Sequence, residues 1–193
     1  MTPSPEPDDP RPLTGEPLAI DLLNTRWIDA TGPHDLLEST AGLAVWLKGR
    51  PPRRLPDDPP VVADAETLEH LLRTRDALSA LAGTPLSPTP GAIAELNAVL
   101  ARGRVRRLLT PEGPEDVIEV DSPSWLPAWT AANDWLRLLV DRPERVRPCA
   151  NPDCVLHFHD TSKNGTRRWC SMAGCGNRAK ARRHHARRRP ANE

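Results

Sequence analysis

The sequence predicts a mainly α fold with one small β-hairpin, an α+β N-terminal domain, followed by a compact four-cysteine module that ends in a basic helix. Three observations carry this. Apolar residues recur at three- and four-residue steps through most of the stretch before residue 141. One turn-rich segment near residue 111 breaks that pattern between short β-branched runs. All four cysteines fall between positions 149 and 175, and a run of arginines follows them.

The elements follow in order. Residues 1–15, MTPSPEPDDPRPLTG, are acidic and Pro-rich, with too little apolar surface to offset the entropy of ordering, so disorder is expected there. Leu18, Ile20, Leu22, Leu23 and Trp27 open an apolar stretch that reads as helix. Asp35 is placed to cap a second helix carrying Leu36, Leu37, Leu43, Val45, Trp46 and Leu47, with Gly49 as its stop. Residues 50–60, RPPRRLPDDPP, read as a linker or surface loop.

A third helix is expected from Asp64 to Ala82, where Leu68, Leu71, Leu72, Leu78 and Leu81 share a face and Gly83 and Pro85 end the run. A fourth follows from Gly91 to Ala101, with Ile93, Leu96, Val99 and Leu100 on one side. Val105, Leu108 and Leu109, the turn TPEGPED, and Val117, Ile118 and Val120 then suit a two-stranded hairpin, although RVRRLL also suits a helix. Pro123 to Val140 returns to helix and holds the heaviest apolar load, including Trp125, Trp129 and Trp135. Asp141-Arg142-Pro143 marks a boundary, giving a domain over 16–141 and a module over 142–190.

The formal net charge of zero hides an asymmetry. Between Arg142 and Arg189 there are 13 Lys/Arg against Glu144, Asp153 and Asp160, so this segment carries +10 and the remainder −10. Such a split suggests a basic module for an anionic partner attached to an acidic domain; the plainer reading is a solvated tail. No apolar run is long enough to span a membrane, and the N-terminus resembles no export signal, so no membrane role and a cytoplasmic location are expected.

Cys149, Cys154, Cys170 and Cys175 are spaced C-x4-C-x15-C-x4-C. Two close pairs separated by a loop are the layout of a structural zinc site, in which four thiolates close the tetrahedral shell and leave no position for chemistry. So few large apolar residues surround them that burial alone could not fold the segment, whereas one Zn²⁺ supplies about 10 kcal/mol or more. Disulfides would need an oxidising compartment, and a redox dithiol normally uses C-x-x-C. His157 and His159 stand close by as alternative ligands, although a place behind the ligands or on the surface fits them better once four thiolates complete the shell. Asp160, Ser162 and Asn164 suit turn hydrogen bonds within the intervening loop, and Phe158 and Trp169 a small core.

After Cys175, GNRAKARRHHARRR has helix formers throughout, with Asn177 as an N-cap candidate. As a helix it is charged almost all round, which suits a groove lined with phosphates better than a protein surface.

Residues 167–189, RRWCSMAGCGNRAKARRHHARRR, resemble the CGNR zinc finger, the C-terminal module of a bacterial family described as putative stress-induced transcription regulators. CANPDCVLHFHDTSKNG, upstream, is similar to that family's first knuckle, and LAIDLLNTR at Leu18–Arg26 to the start of its mostly helical N-terminal domain. His157 stands where that family commonly has a small residue. The resemblance implies a zinc-dependent DNA-binding module joined to a sensing domain.

On this reading Arg167, Arg168, Arg178, Lys180, Arg182, Arg183 and Arg187 contact phosphates or guanine edges of duplex DNA, and Asn177 reaches a base or merely caps. Arg178 has an alternative partner in Asp160. The other readings are an RNA-binding zinc protein and a protein-interaction adaptor. No enzyme is expected: there is no Gly-rich nucleotide loop, no nucleophile elbow and no paired His-Glu zinc motif. Asp21, Asn24, Thr25 and Arg26, polar within an apolar stretch, are candidates to line a pocket for a small-molecule effector; ordinary buried hydrogen bonding is the alternative. A homodimer would raise the affinity of so small a module.

Overall fold

The computed structural model describes residues 9–49, 60–82 and 89–188, with side chains through Arg182. The expected linker at 50–60 therefore lies outside the described residues except for Pro60, and Gly83 and Pro85 lie outside them too.

A short helix, α1 (Leu18–Leu23), sits at the centre of the N-terminal domain, with Ala19, Ile20 and Leu22 fully buried. Its first turn is capped from a distance: the Asp134 carboxylate accepts from the Ala19 amide at 3.0 Å. The helix ends at Asn24, earlier than the apolar pattern predicts, because the chain turns into a hairpin, β1 (Arg26–Asp29) with β2 (Gly32–Asp35). Trp27 thus reaches the core from a strand. The turn is set by Asp29, whose carboxylate accepts from the Thr31 amide, and by Gly32 at φ +127°, which side chains rarely adopt.

Asp35 does cap, accepting from the Leu37 amide, but the turn it starts is a single 3₁₀ turn before α2 (Thr40–Gly49). The same carboxylate receives both terminal nitrogens of Arg75 at 2.6 and 2.8 Å. Arg75 is only 1% exposed and also donates to the Thr25 hydroxyl, so a buried ion pair locks the hairpin to α3 (Ala65–Ala82). The Asp64 carboxylate accepts from the Thr67 amide at the start of α3.

Helix α4 (Pro90–Leu100) and the antiparallel pair β3 (Gly103–Thr110) and β4 (Gly113–Val120) follow as predicted, so the hairpin reading of RVRRLL prevails over the helical one. Arg104 and Arg106 pair with Glu119, and Arg107 with Asp116, across this exposed ribbon. A 3₁₀ turn at Pro123–Trp125 leads into α5 (Leu126–Asp141), which buries Trp129 and Trp135. Helices α1, α3, α4 and α5 enclose one core.

Two expectations are corrected here. Residues 9–15 are tied down: the Arg11 guanidinium is buried, donates to the Asp21 carboxylate and backbone carbonyl at 3.0 Å, and is held on its other edge by Asp9. Composition could not reveal this because one buried arginine anchors the strap. Residues 1–8 lie outside the described residues. Second, the basic helix α6 (Asn177–Arg188) does not begin at an Asn177 cap. It continues from a π-helical turn at Met172–Gly176, and Ser171 caps that turn by accepting from the Gly174 amide.

Candidate zinc centre and nucleic-acid interface

The C-terminal module opens with a third antiparallel pair, β5 (Val146–Pro148) and β6 (His157–His159). Phe158, at the middle of β6, is fully buried and joins the core shared with the helical domain. The free edge of β6 is occupied by side chains. Asn24 donates to the His157 carbonyl and accepts from the His157 amide, both at 2.9 Å. Glu16 accepts from the His159 amide at 2.9 Å and from Arg167 at 3.2 Å. The domain thus supplies, through two side chains, the hydrogen bonds that another strand would.

Past β6 the loop is built on Asp160. Its buried carboxylate accepts from the Ser162 hydroxyl and amide and from the Arg167 amide, with Arg145 and Arg147 alongside. The Ser162 hydroxyl leads these donors in holding the carboxyl below its usual range. Gly165, at φ +62°, closes the loop, where a Cβ would sit 2.9 Å from the Arg145 guanidinium.

The thiols of Cys149, Cys154, Cys170 and Cys175 all lie within 4.8 Å of one another. The Cys154–Cys170 and Cys170–Cys175 sulfurs are 3.8 and 3.6 Å apart. Sulfurs at tetrahedral corners about 2.3 Å from a zinc ion are separated by about 3.8 Å, whereas a disulfide needs about 2 Å. The thiols do not hold their protons alike. A hydrogen bond from Cys170 brings the Cys154 thiol down to about 5, the same contact pushes Cys170 up, and burial pushes Cys149 up. Without a cation the cluster must share protons; a divalent ion replaces them.

Donors surround the sulfurs. Cys175 accepts from Asn151 at 3.5 Å and from the Arg178 guanidinium at 3.1 Å, and Cys149 from the Cys170 amide at 3.5 Å. These donors offset the excess negative charge that four thiolates leave around a divalent ion. Among the described residues neither His157 nor His159 joins the ligand set. His157 belongs to strand β6, after the first cysteine pair.

Comparison with known families fits this architecture. The CGNR zinc finger matches residues 145–188. The family described as ABATE, putative stress-induced transcription regulator, matches residues 16–142. The chain belongs to that family. No curated protein matches it. As an ABATE protein with a CGNR finger it is a member of a zinc-binding regulator family, and its four cysteines form a single structural zinc site. No described helix is long and apolar enough to cross a membrane.

The predicted nucleic-acid residues of this ABATE protein divide sharply. Arg167 is committed inward: it donates to the carbonyls of His159, Trp169 and Cys170 and to Glu16, with its guanidinium 4.3 Å from the Phe158 ring centroid. Its guanidinium is thus engaged by the fold itself. Arg178 faces Cys175, which raises its pKa, and Asp160 is not its partner. Arg182 pairs with Asp153 and Asn151. The Asn177 side-chain nitrogen Nδ2 donates to the Ala173 carbonyl. The side chains of Arg168 and Lys180 are exposed and make no hydrogen bond or ion pair among the described residues. Side chains of Arg183 and Arg187 lie outside the description.

The predicted effector-pocket residues divide likewise. An open cleft of about 920 Å³ beside β1–β2 is lined by Arg26, with Trp27, Asp29, Glu38, Pro10 and Val155 among its other walls. Asp21, Asn24 and Thr25 do not line it. They are buried and bonded, Asp21 to Arg11 and the Trp46 indole, Thr25 to Arg75 and the Leu22 carbonyl, Asn24 to His157. Asn151, Glu16 and Ser171 were missed. Only Asn151, in the NPD turn between two cysteines, carried a sequence signal.

Proposed function

We propose that the protein is a zinc-dependent, DNA-binding transcription regulator whose helical domain answers to a small molecule or a stress signal. One observation carries the reading: α6 leaves the zinc centre bearing Arg178, Lys180, Arg182, Arg183, Arg187 and Arg188, with no acid and no apolar residue larger than alanine. Such a helix has little to gain from burial on protein and much from a polyanion, where each phosphate neutralised releases counterions.

Duplex DNA is favoured over a flexible strand by the finger's attachment to the domain, through Phe158 and the Asn24 and Glu16 hydrogen bonds, which offers a partner a defined surface. The cleft beside β1–β2 supports a sensing role, as its walls include Pro10 of the N-terminal strap and Val155, next to zinc ligand Cys154.

The test is selection from a random duplex pool by the zinc-loaded full-length protein, followed by salt titration of the selected duplex. The expected result is a defined site and an affinity that falls linearly in log salt. Absence of binding to any duplex at low salt ends this reading. A metabolite thermal-shift screen of the same protein tests the sensing half; a silent screen counts against it.

A further inference from the structure

Alongside the zinc centre, a concave groove of about 490 Å³ is lined by Thr161, Thr166, Arg168, Trp169, Ser171 and Met172. It ends where the helical run from Met172 into α6 begins. We propose that this groove seats the sugar–phosphate edge of one DNA strand, so that the interface extends beyond the arginine-rich helix to the face of the knuckle. This rests on the DNA-binding reading.

Four features fit the groove to that ligand. Arg168 is exposed, and its guanidinium meets no carboxylate or carbonyl among the described residues. It lies 5.3 Å from the Trp169 ring centroid, an arrangement that steadies a cation while leaving its donors open. Its neighbour Arg167 has spent its donors on the fold, so of the two arginines lining the groove Arg168 is the one whose donors are open.

Half-buried Trp169 and Met172, 55% exposed, place apolar surface beside that cation, which suits the carbon face of deoxyribose. The hydroxyls of Thr161, Thr166 and Ser171 stand along the same groove; that of Ser171 accepts from Gly174 and keeps its own proton to donate. Finally, no carboxylate lines the groove. Asp160, the nearest in sequence, is turned inward and bonded, so no carboxylate faces a phosphate there.

The test uses the zinc-loaded, full-length protein labelled with 5-fluorotryptophan and its selected duplex. Trp169→Phe assigns the Trp169 fluorine line. The expected result is that duplex shifts this line and shields it from a soluble paramagnetic quencher. Arg168→Ala should keep zinc content and melting temperature, since the side chain is exposed. It should lower the salt slope by about 1 and the affinity by about eightfold at 0.1 M salt, the loss of one phosphate contact. The loss should be uniform across duplex sequences.

If duplex binding is intact and sensitive to Lys180→Ala, yet the Trp169 line and the Arg168→Ala slope do not respond, the groove proposal is overturned while the DNA-binding reading stands. A response to Arg168→Ala without any change at Trp169 also overturns it. Should no duplex bind, both fall together.

Discussion

Asn24 and His157 stand 133 positions apart and exchange two backbone-to-side-chain hydrogen bonds of 2.9 Å, joining the helical domain to the strand beside the zinc centre. Asn24 is fully buried, so no water can replace it.

Asn24→Ala should therefore leave the His157 amide and carbonyl unpaired and cost about 2–4 kcal/mol. Zinc stoichiometry should be unchanged, because no ligand is touched. Urea denaturation with metal analysis measures both, and hydrogen exchange should locate the loss at β6.

Removing the metal should do more than unfold a finger. Phe158, Cys149 and Cys175 belong to the same buried cluster as Leu71 and Trp135. Chelation is expected to release one zinc per chain, melt residues 145–176 and lower the melting temperature of the whole protein. Elemental analysis and calorimetry test this; a helical domain that melts unchanged after chelation would show that the shared cluster is energetically idle.

Arg167→Ala and Arg168→Ala should part company. The first removes carbonyl contacts, the Glu16 pair and the cover over Phe158. It is expected to destabilise the finger by about 2–3 kcal/mol and to weaken zinc retention. The second should leave stability within about 0.5 kcal/mol. A competition assay with a zinc-binding dye separates them.

Acid sensitivity should run partly through Asp35. Burial alone would raise its carboxyl, but the Arg75 guanidinium overrides this and holds it below the usual carboxylate range. A depressed folded-state value means that the stabilisation is complete above about pH 4 and disappears as pH falls through that lower value. Asp35→Asn should cost about 2–3 kcal/mol at pH 7, since the buried Arg75 loses the charge of its half-buried partner, and should flatten the acid limb. Zinc release in acid affects both proteins, so the difference between their stability curves is the readout.

The zinc ligands were legible because spacing alone brings four thiols to one point, whatever the loops do. Helices α3, α4 and α5 were legible from one-sided leucines. Hairpin β1–β2 was not: Arg26-Trp27-Ile28-Asp29 continues the apolar rhythm of α1, and only the turn DATGP betrays the reversal. Arg167 and Arg168 look alike in a sequence; which of them turns inward depends on Glu16, a partner 151 positions away. The buried roles of Asp21, Asn24 and Thr25 were hidden likewise, since each is fixed by a residue from another element.

The clasp on β6 also bears on how the chain is made. Glu16 and Asn24 leave the ribosome early, yet their partners at His157, His159 and Arg167 are translated more than 130 residues later. A nascent chain therefore cannot close this clasp until residues 157–167 have been made. The order of synthesis thus sets the order in which the two parts can be joined.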